Sequence, residues 1–437
     1  MAGVEESRLN PMRDEGDRHV KKDPNEIDEG LGYIGYREAL DIVTADVRPL
    51  GDEELPLNLC VGRVSSSDVS ATVSYPSVDV SLKDGFAVVS SDVARAERDA
   101  PVRLIVVGSS FAGAAFGGRI KSGEAVNVCS GAPIPVGADA VVSGEFCEVR
   151  SGGDVLVRAD ARPGRNILQT GIEVAAGTVI IRQGERITPG QLGLAAAAGI
   201  TAVRVRCKPC AVIVSIGDEV VAPGEALQAG QLYASNLVTM EAWLASFGIP
   251  CVTSIVRDDV DAIQRALRAH LPGVNAILTT GGAWGSERDL VVGALGELGW
   301  VKRFHYVRMG PGKGVAFGAL ENTPVFCLPG GPLSNQMAFL QIALPALLGM
   351  EGDERPPLPV VHARLTEDVK SRHRAWTEFR DAVVALDEGG RYTASLYRSR
   401  SRMEAIAKAV GLLCIPEGSE GLRCGDVVPV QLLARLG

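Results

Sequence analysis

The sequence predicts a multidomain protein of the α/β plus β class, built around a doubly wound, mainly parallel α/β domain. Its 437 residues exceed one domain, at about 100–200 residues per domain. Between residues 209 and 350, buried strand-like runs alternate with helical patterns, as in a parallel sheet with helices on both faces. On either side, short alternating runs rich in Val, Ser and Gly are interrupted by turn residues, which indicates smaller β domains.

Changes in composition and periodicity predict where each domain begins and ends. The start of the chain is polar and charged, as in a flexible tail. Two separate segments resemble each other more than their neighbours, which suggests one linker domain. We predict a flexible N-terminal tail (1–30), a linker domain formed by two segments (31–72 and 172–203), an inserted mostly β domain (73–171), an α/β domain (204–351) and a C-terminal β domain (356–437).

The α/β region contains four predicted strands, each followed along the chain by a predicted helix. The strands are Ala211–Ile216, Cys251–Val256, Ala276–Thr280 and Val325–Leu328. The helices span about Asn236–Phe247, Val260–Leu271, Ser286–Leu298 and Pro332–Leu348. Open α/β sheets bind their ligands beyond the carboxyl ends of the strands, so the loops at those ends hold the candidate site.

Composition excludes several classes of protein. Hydrophobic residues are 46% of the chain and charged residues 22%, which is sufficient to bury a core. Forty-four basic residues against 53 acidic ones give a net charge of −9, whereas a non-specific nucleic-acid binder carries a basic excess. The apolar run around Leu192–Ile200 is shorter than the roughly 20 residues of a membrane helix, and the N-terminal residues lack the apolar stretch of a secretory signal. We expect a cytoplasmic protein that binds neither nucleic acid nor membrane.

The cysteines do not predict a disulfide framework, because their number, nine, is odd and they are spread along the chain. Cys207 and Cys210 have the spacing of a redox or zinc-binding pair. No second pair of Cys or His follows at ligand distance. An incidental pair is therefore favoured over a metal or redox role, which stays the alternative.

The first candidate loop is Gly217-Asp218-Glu219, directly after a predicted buried strand. Two carboxylates at a strand end suit a cation, or accept hydrogen bonds from a heterocycle. They are equally expected in a turn with acidic residues at a helix N-terminus. Taken alone, the loop does not decide between these interpretations.

The second candidate loop runs from Gly281 and Gly282 to Ser286 and Asp289. Glycines let backbone N–H groups approach a phosphate, and Ser286 can cap the helix that follows. Asp289 lies one turn into that predicted helix and can face the same pocket.

The remaining loops of this region also suit an anion. Pro329 and Gly330 precede a helix start at which the Ser334 hydroxyl is available. Lys313 lies among glycines and prolines, where its ammonium can act as a point charge for an oxyanion, although most loop lysines are merely solvated. The sequence lacks the phosphate-binding and dinucleotide-binding glycine motifs, so the expected ligand is another phosphorylated compound or an oxyanion.

Two loops of the inserted β domain complete the set of candidates. Asp84 precedes Gly85 at a turn, and Ser130 begins a loop stiffened by prolines. Each is as readily a structural turn as a functional loop.

Several spaced motifs occur in a fixed order along about residues 33–437. They are Asp84-Gly85-Phe86-Ala87, Ser130-Gly131-Ala132-Pro133, Gly137-Ala138-Asp139, Ile216-Gly217-Asp218-Glu219, Gly230-Gln231-Leu232-Tyr233 with Ser235-Asn236, Arg257-Asp258-Asp259, Gly281-Gly282, Pro311-Gly312-Lys313, Leu328-Pro329-Gly330, Glu378-Phe379-Arg380 and Gly425-Asp426-Val427-Val428. Together they resemble the molybdopterin molybdenumtransferase family, which includes the MoeA proteins and the gephyrin E domain.

The resemblance implies an elongated four-domain protomer, with an α/β domain of the molybdopterin-binding type. It implies a homodimer whose active site lies between the α/β domain of one subunit and the β domain of the other. The family inserts molybdate into adenylylated molybdopterin with a divalent cation and releases AMP. We therefore expect Mg²⁺ as cofactor, adenylylated molybdopterin and molybdate or tungstate as substrates, and the molybdopterin adenylyltransferase as a candidate partner.

The resemblance also implies roles for residues of this chain. Asp84 and Ser130 would be contributed across the subunit interface, and Lys313, Ser334, Arg380 and Ser401 would form the molybdate end. Asp218 and Asp289 would hold the metal. The catalytic set would be Asp84, Ser130, Asp258, Asp289 and Lys313. The set that binds pterin, nucleotide or oxyanion would be Gly217, Asp218, Glu219, Gly281, Gly282, Ser286, Pro329, Gly330, Ser334, Arg380 and Ser401.

The ligand loops depart from the family pattern. Where the family reads Lys-Pro-Gly-Lys, Gly310 replaces the first lysine, and losing one of two cations around an oxyanion costs on the order of several kcal/mol in a dry site. Trp284 stands where a small hydroxyl residue belongs. Further departures are Ile216, Ala234, Leu237 and Gly331. A non-inserting paralogue that binds molybdopterin or the finished cofactor as carrier, scaffold or regulator is therefore the alternative hypothesis.

Overall fold

The structure is a computed structural model that describes residues 32–281, 290–353 and 357–434. The predicted tail of residues 1–30 lies outside these ranges. The chain divides into two compact units. One comprises Met1–Asp46, Cys210–Pro345 and Pro356–Gly437, and the other comprises Val47–Pro209 and Ala346–Arg355.

The α/β part of the first unit is a six-stranded sheet. Its strands, in order across the sheet, are Cys251–Val256, Ala211–Ile216, Ala276–Thr280, Thr323–Leu328, Ala316–Leu320 and Val301–His305. The first four run parallel. Ala316–Leu320 pairs antiparallel with the fourth, and Val301–His305 pairs antiparallel with Ala316–Leu320 at the edge. The sequence therefore predicted the mainly parallel sheet correctly.

Helices cover both faces of this sheet. On one face Val260–His270 packs against Leu290–Glu297, and on the other Ser235–Ser246 packs against the helix that begins at Pro332. Asp259 caps Val260–His270, since its carboxylate accepts a hydrogen bond from the Ala262 N–H at 2.7 Å.

The longest helix is also the most buried. Pro332–Ala338 continues through the π-helical turn Phe339–Ala343 into Leu344–Met350. Pro332 occupies the first turn, where its missing N–H costs no hydrogen bond. By length and composition this helix could cross a membrane, but 78% of it is buried inside the protein, as in the core helix of a folded domain.

The C-terminal part of the first unit is a sheet that closes on itself. Its strands, in order, are Thr377–Leu386, Tyr392–Leu396, Val360–Leu365, Val427–Leu432 and Gly411–Ile415, and the last pairs back with the first. Alternate side chains fill the interior, among them Ala363, Leu365, Val384, Leu413 and Val430. The short strands Val369–Lys370 and Gly421–Leu422 pair beside this barrel. The helix Arg402–Lys408 connects two of its strands.

An N-terminal element and one strand of the central region extend the barrel sheet. Thr377–Leu386 pairs with Val307–Gly310, which in turn pairs with Ile34–Gly35, just before the helix Tyr36–Asp46. Gly310 lies beside Glu378 in this register. The loop after Gly310 therefore begins at the barrel and ends in the α/β sheet.

The second unit is built mainly of β-structure. Its six-stranded sheet has the order Ala140–Ser143, Gly85–Val88, Glu124–Val128, Val102–Ser110, Asp154–Val157 and Cys147–Val149. Short strands pair as Asp52–Pro56 with Ala202–Arg206, Val69–Ser70 with Val179–Ile181, and Val80–Ser81 with Ile167–Leu168. The helix Pro189–Ala197 begins with a capping box between Thr188 and Gln191. Strands from both predicted linker segments thus pair, and the exact domain boundaries stay predictions.

Candidate active site

A cavity of about 640 Å³ lies in the first unit, between the loop of residues 310–313 and the barrel. Lys313 lines it from that loop, Ser334 from the first turn of the long helix, Arg380 from a barrel strand and Ser401 from the start of a short helix. The sequence resemblance assigned these four residues to the molybdate end of the site. The structure brings all four to one cavity.

Backbone pairing fixes the lysine loop. The Val307 N–H donates to the Lys313 carbonyl at 3.0 Å and closes the loop. A side-chain carbon added to Gly312 would lie 3.4 Å from the Ser334 carbonyl oxygen, so the loop packs closely on the long helix. The Lys313 ammonium lies 5.6 Å from the centre of the Trp376 ring, within cation–π range.

A buried carboxylate holds the arginine of the cavity. Glu378 is 3% exposed, and its Oε2 pairs with Arg380 Nη2 at 2.7 Å. Its Oε1 accepts hydrogen bonds from the Ser371 hydroxyl at 2.9 Å and the His373 N–H at 2.6 Å. Glu378 and Arg380 are two residues apart on one strand, so their side chains share a face. The Glu378-Phe379-Arg380 motif contained this pair, but the sequence analysis gave Glu378 no role.

The cavity is cationic although the whole chain is acidic. Its lining contains six basic side chains against the two carboxylates Glu378 and Asp381; the six are Lys313, Arg372, Arg380, Arg398, Arg400 and Arg402. Arg398 forms an ion pair with Glu367, in which one hydrogen bond is 3.0 Å long. The arginines at 372, 398, 400 and 402 were not predicted as site residues. The alternating Arg-Ser-Arg-Ser-Arg run of residues 398–402 is a pattern that could have indicated a cationic site. Local cations of this kind attract a small anion despite the opposite net charge.

Burial shifts the pKa of three groups in the cavity wall. It lowers the pKa of Lys313 and raises the pKa of Asp381. Burial also lowers the pKa of Arg380, while the Glu378 carboxylate acts in the opposite direction. The Nε–H of Arg380 is buried, and no residue of the described ranges accepts its hydrogen bond. A ligand oxygen can satisfy such a donor.

We predict that oxyanion binding weakens as the pH rises. Because burial lowers the pKa of Lys313, its ammonium loses a proton at a lower pH than a solvated lysine does. In Lys313→Arg the guanidinium stays charged, so its profile should be flat from about pH 7 to about pH 10. Titration calorimetry with tungstate measures both profiles. A wild-type profile as flat as that of the variant would contradict the assignment of Lys313.

Two asparagines connect the ends of neighbouring strands of the α/β sheet through hydrogen bonds. The Asn236 and Asn335 amides both donate to the Thr280 hydroxyl, at 3.1 and 2.9 Å. Asn236 also donates to the Gly330 carbonyl at 2.7 Å, and Asn335 to the Pro329 carbonyl at 3.0 Å. The loop at residues 329–330 is thereby held next to the end of the Ala276–Thr280 strand. The sequence analysis did not predict this role for either asparagine.

Gly281 packs closely against the end of the neighbouring strand Ala211–Ile216. It has a φ of +92°, and a side-chain carbon added there would collide with the Ile216 carbonyl oxygen. The predicted site residues Gly282, Ser286 and Asp289, and Trp284 as well, lie outside the described residues.

We predict that Gly281→Ala lowers the free energy of unfolding by about 1–3 kcal/mol, through the strained φ and the collision with a backbone atom. Gly293→Ala is the matched control, because this helical glycine has no atom within 4 Å of the added carbon. The control should raise stability by about 0.5–1 kcal/mol. Urea unfolding measures both, and equal stability of Gly281→Ala and wild type would refute the packing described.

The predicted acidic residues lie exposed at the same edge of the sheet. Asp218 pairs with Arg257 at 3.2 Å, with the two side chains 58% and 85% exposed. Glu219 and Asp258 are exposed as well, and the Gly217 N–H donates to the Val256 carbonyl at 3.1 Å. These carboxylates are therefore accessible to a ligand.

Asp84 and Ser130 lie together in the second unit. The Ser130 N–H donates to Asp84 Oδ1 at 2.7 Å, and both residues are exposed. A side-chain carbon at Gly85 would collide with the Val142 carbonyl oxygen of the paired strand, which explains the glycine after Asp84. The two predicted loops thus form one surface feature of the β-sheet.

None of the nine cysteines, Cys207 and Cys210 included, forms a disulfide within the described residues. Among the described residues, no group of three or more His, Cys, Asp or Glu side chains is placed to hold a metal ion. Asp289, one of the two predicted metal ligands, lies outside the described residues.

The fold and the cavity together define a multidomain protein of the α/β plus β class with a cavity lined by basic side chains. Family comparison agrees, since residues 34–199 match the MoeA N-terminal region (domain I and II) and residues 212–349 match the probable molybdopterin binding domain. Molybdopterin molybdenumtransferase 2 of Mycobacterium tuberculosis is 33% identical over 386 residues, covering 86% of this chain and 94% of that one. The chain belongs to the molybdopterin molybdenumtransferase family, as its motifs predicted.

Other relatives and solved structures agree. The molybdopterin molybdenumtransferase of Haemophilus influenzae is 32% identical, covering 88% of this chain and 94% of its own. Two crystal structures of the molybdopterin biosynthesis MoeA protein from Pyrococcus horikoshii superpose with TM-scores of 0.78 and 0.76, at 30% and 27% identity. Each covers 92% of this chain and 100% of that protein. They support the multidomain α/β plus β fold.

Proposed function

We propose that this protein acts in molybdenum cofactor biosynthesis by inserting molybdate or tungstate into adenylylated molybdopterin, with release of AMP. The cavity carries the proposal, because it gathers Lys313, Arg380, Ser334 and Ser401 around a space of about 640 Å³. Cationic and hydroxyl donors are the groups that bind a tetrahedral oxyanion. Two relatives are named molybdopterin molybdenumtransferase, which supports transfer of molybdenum to molybdopterin.

In this proposal each group at the molybdate end has a separate task. Lys313 supplies a point charge, and Arg380 supplies N–H donors whose direction the buried Glu378 fixes. Hydroxyl groups of Ser334 and Ser401 replace water around the oxyanion. Because these donors are set before the ligand arrives, they stabilise its charge without reorganisation during transfer.

The pterin and nucleotide end would lie along the carboxyl edge of the α/β sheet. Gly217, Gly281, Pro329 and Gly330 are proposed contacts of the pterin and nucleotide, and the asparagine hydrogen bonds hold the loop at residues 329–330 in place. Glu219 and Asp258 are further proposed contacts, with Asp258 in the catalytic set.

For Mg²⁺, the exposed carboxylate of Asp218 fits, since it already attracts the cation of Arg257. Magnesium sites commonly use one or two carboxylates together with substrate phosphates and water. Asp218 and Asp289 are the proposed ligands, and the ion would neutralise phosphate charge.

The exposed pair of Asp84 and Ser130 suits a role across a subunit interface. We propose a homodimer in which these two residues complete the site of the other subunit, and a molybdopterin adenylyltransferase as the enzyme that supplies the substrate. The proposed location is the cytoplasm.

The test is AMP release by the purified protein with adenylylated molybdopterin, Mg²⁺ and molybdate or tungstate. Release that depends on the oxyanion supports the transferase. The Gly310 departure favours a second candidate, a carrier or regulator that binds pterin without insertion. Tight pterin binding without release would establish that alternative, and no pterin binding would contradict both.

A further inference from the structure

The loop that carries Lys313 supplies one lysine, and the cavity wall contains further basic side chains that could act with it. Gly310 stands where the family pattern has a lysine, so the loop supplies one ammonium instead of two. An oxyanion with two negative charges, held by one lysine and the already paired Arg380, would be poorly neutralised. Because Gly310 lies in the wall of the cavity, the positive charge is missing at the cavity itself.

Three arginines of the cavity wall are not committed elsewhere. Arg398 is held by Glu367, and Arg380 by Glu378. None of the ion pairs formed among residues 32–281, 290–353 and 357–434 involves Arg372, Arg400 or Arg402. These three guanidinium groups are therefore the candidates for the missing charge.

Hydrogen bonds on both sides fix the backbone at Arg400. The Ser399 hydroxyl donates to Glu404 at 2.7 Å and accepts from the Ser401 N–H at 3.0 Å. The Ser401 hydroxyl accepts from the Glu404 N–H at 3.2 Å and caps the following helix. Arg400 therefore lies on a turn that hydrogen bonds hold in place, next to Ser401, a proposed ligand of the oxyanion. Arg402, in contrast, belongs to the helix itself.

We propose that Arg400 binds the oxyanion as the second cation of the site, in place of the loop lysine that Gly310 replaces. The inference rests on the proposed function, since it assigns one more residue to the molybdate end of the same cavity. It predicts that a basic side chain at position 310 can substitute for the one at position 400. A lysine at position 310 is sterically allowed, because an added side-chain carbon would lie 3.8 Å from Trp376, an ordinary contact.

The experiment is titration calorimetry of the full chain with tungstate at neutral pH. Arg400→Ala should bind tungstate about ten- to a hundredfold more weakly than wild type, and Arg400→Lys should retain most of the affinity. The matched control is Arg374→Ala, because Arg374 is exposed, pairs with Glu420 and does not line the cavity. The double variant Gly310→Lys with Arg400→Ala should recover the lost affinity.

The outcomes separate the inference from the function on which it rests. Wild type that binds tungstate while Arg400→Ala matches Arg374→Ala would overturn the role of Arg400 alone. Loss in Arg372→Ala or Arg402→Ala, without loss in Arg400→Ala, would do the same. Wild type that fails to bind tungstate would overturn the oxyanion site itself, and with it the proposed function.

A second titration, with AMP, identifies the anion that Arg400 serves. The proposal predicts that AMP binding is unchanged within a factor of about two in Arg400→Ala, because the proposed nucleotide contacts lie along the sheet edge, away from Arg400. Weaker AMP binding with unchanged tungstate binding would place Arg400 at the nucleotide and overturn the proposal. Circular dichroism of each variant shows that the fold is retained.

Discussion

Lys313→Ala is expected to reduce oxyanion-dependent AMP release by about 100- to 1000-fold. Lys313 is the one cation of its loop, and removing a preorganised charge from a partly buried site has effects of this size. The expected loss exceeds that of a solvated lysine because Lys313 is half-buried in the cavity wall beside Trp376, where water screens a charge less.

Lys302→Ala is the control for this prediction, since Lys302 is exposed on the edge strand Val301–His305 and does not line the cavity. It should retain wild-type release. The measurement is the initial rate of AMP formation at saturating pterin substrate, with molybdate varied. A Lys313→Ala rate within threefold of the control would remove Lys313 from the site.

Glu378→Ala is expected to lower the free energy of unfolding by about 3–5 kcal/mol. Its carboxylate is buried, pairs with Arg380 and accepts hydrogen bonds from the turn at Ser371 and His373. Removing it leaves Arg380, which is 15% exposed, without a counter-charge, and breaking one side of a buried pair has effects of this size.

The control for Glu378 is Glu420→Ala, whose side chain is 84% exposed and pairs with the exposed Arg374. An exposed pair contributes little, so this variant should stay within about 0.5 kcal/mol of wild type. Urea unfolding compares the two variants. If both unfold at the same urea concentration, Glu378 does not organise the cavity. Glu378→Gln, which keeps the side-chain shape, should still weaken tungstate binding because Arg380 loses its orienting charge.

The central strands of the α/β sheet could be predicted from the sequence because they are buried on both faces. Ala211–Ile216 and Ala276–Thr280 have the predicted bounds, since a buried parallel strand is a continuous apolar run that ends at a glycine. The glycine loops could be predicted because each follows directly after one of these strands. The resemblance then named Lys313, Ser334, Arg380 and Ser401, which the structure brings to one cavity.

The parts that could not be predicted depend on contacts between distant segments. The edge strand Val301–His305 has no long apolar run, because it has one paired neighbour and most of its residues are exposed. Nothing local indicates that Val307–Gly310 pairs with a barrel strand rather than with the α/β sheet. Because the cavity depends on that pairing, the sequence alone does not place the arginine run of residues 398–402 beside the lysine loop.

The most direct test of the account is a crystal of the protein soaked in tungstate and measured at a tungsten absorption edge. The account predicts an anomalous peak inside the 640 Å³ cavity, within hydrogen-bonding distance of Lys313, Arg380 and Ser401. Arg400 should donate to the same ion. Tungsten bound at another place on the protein, with this cavity empty under conditions that support AMP release, would contradict the account.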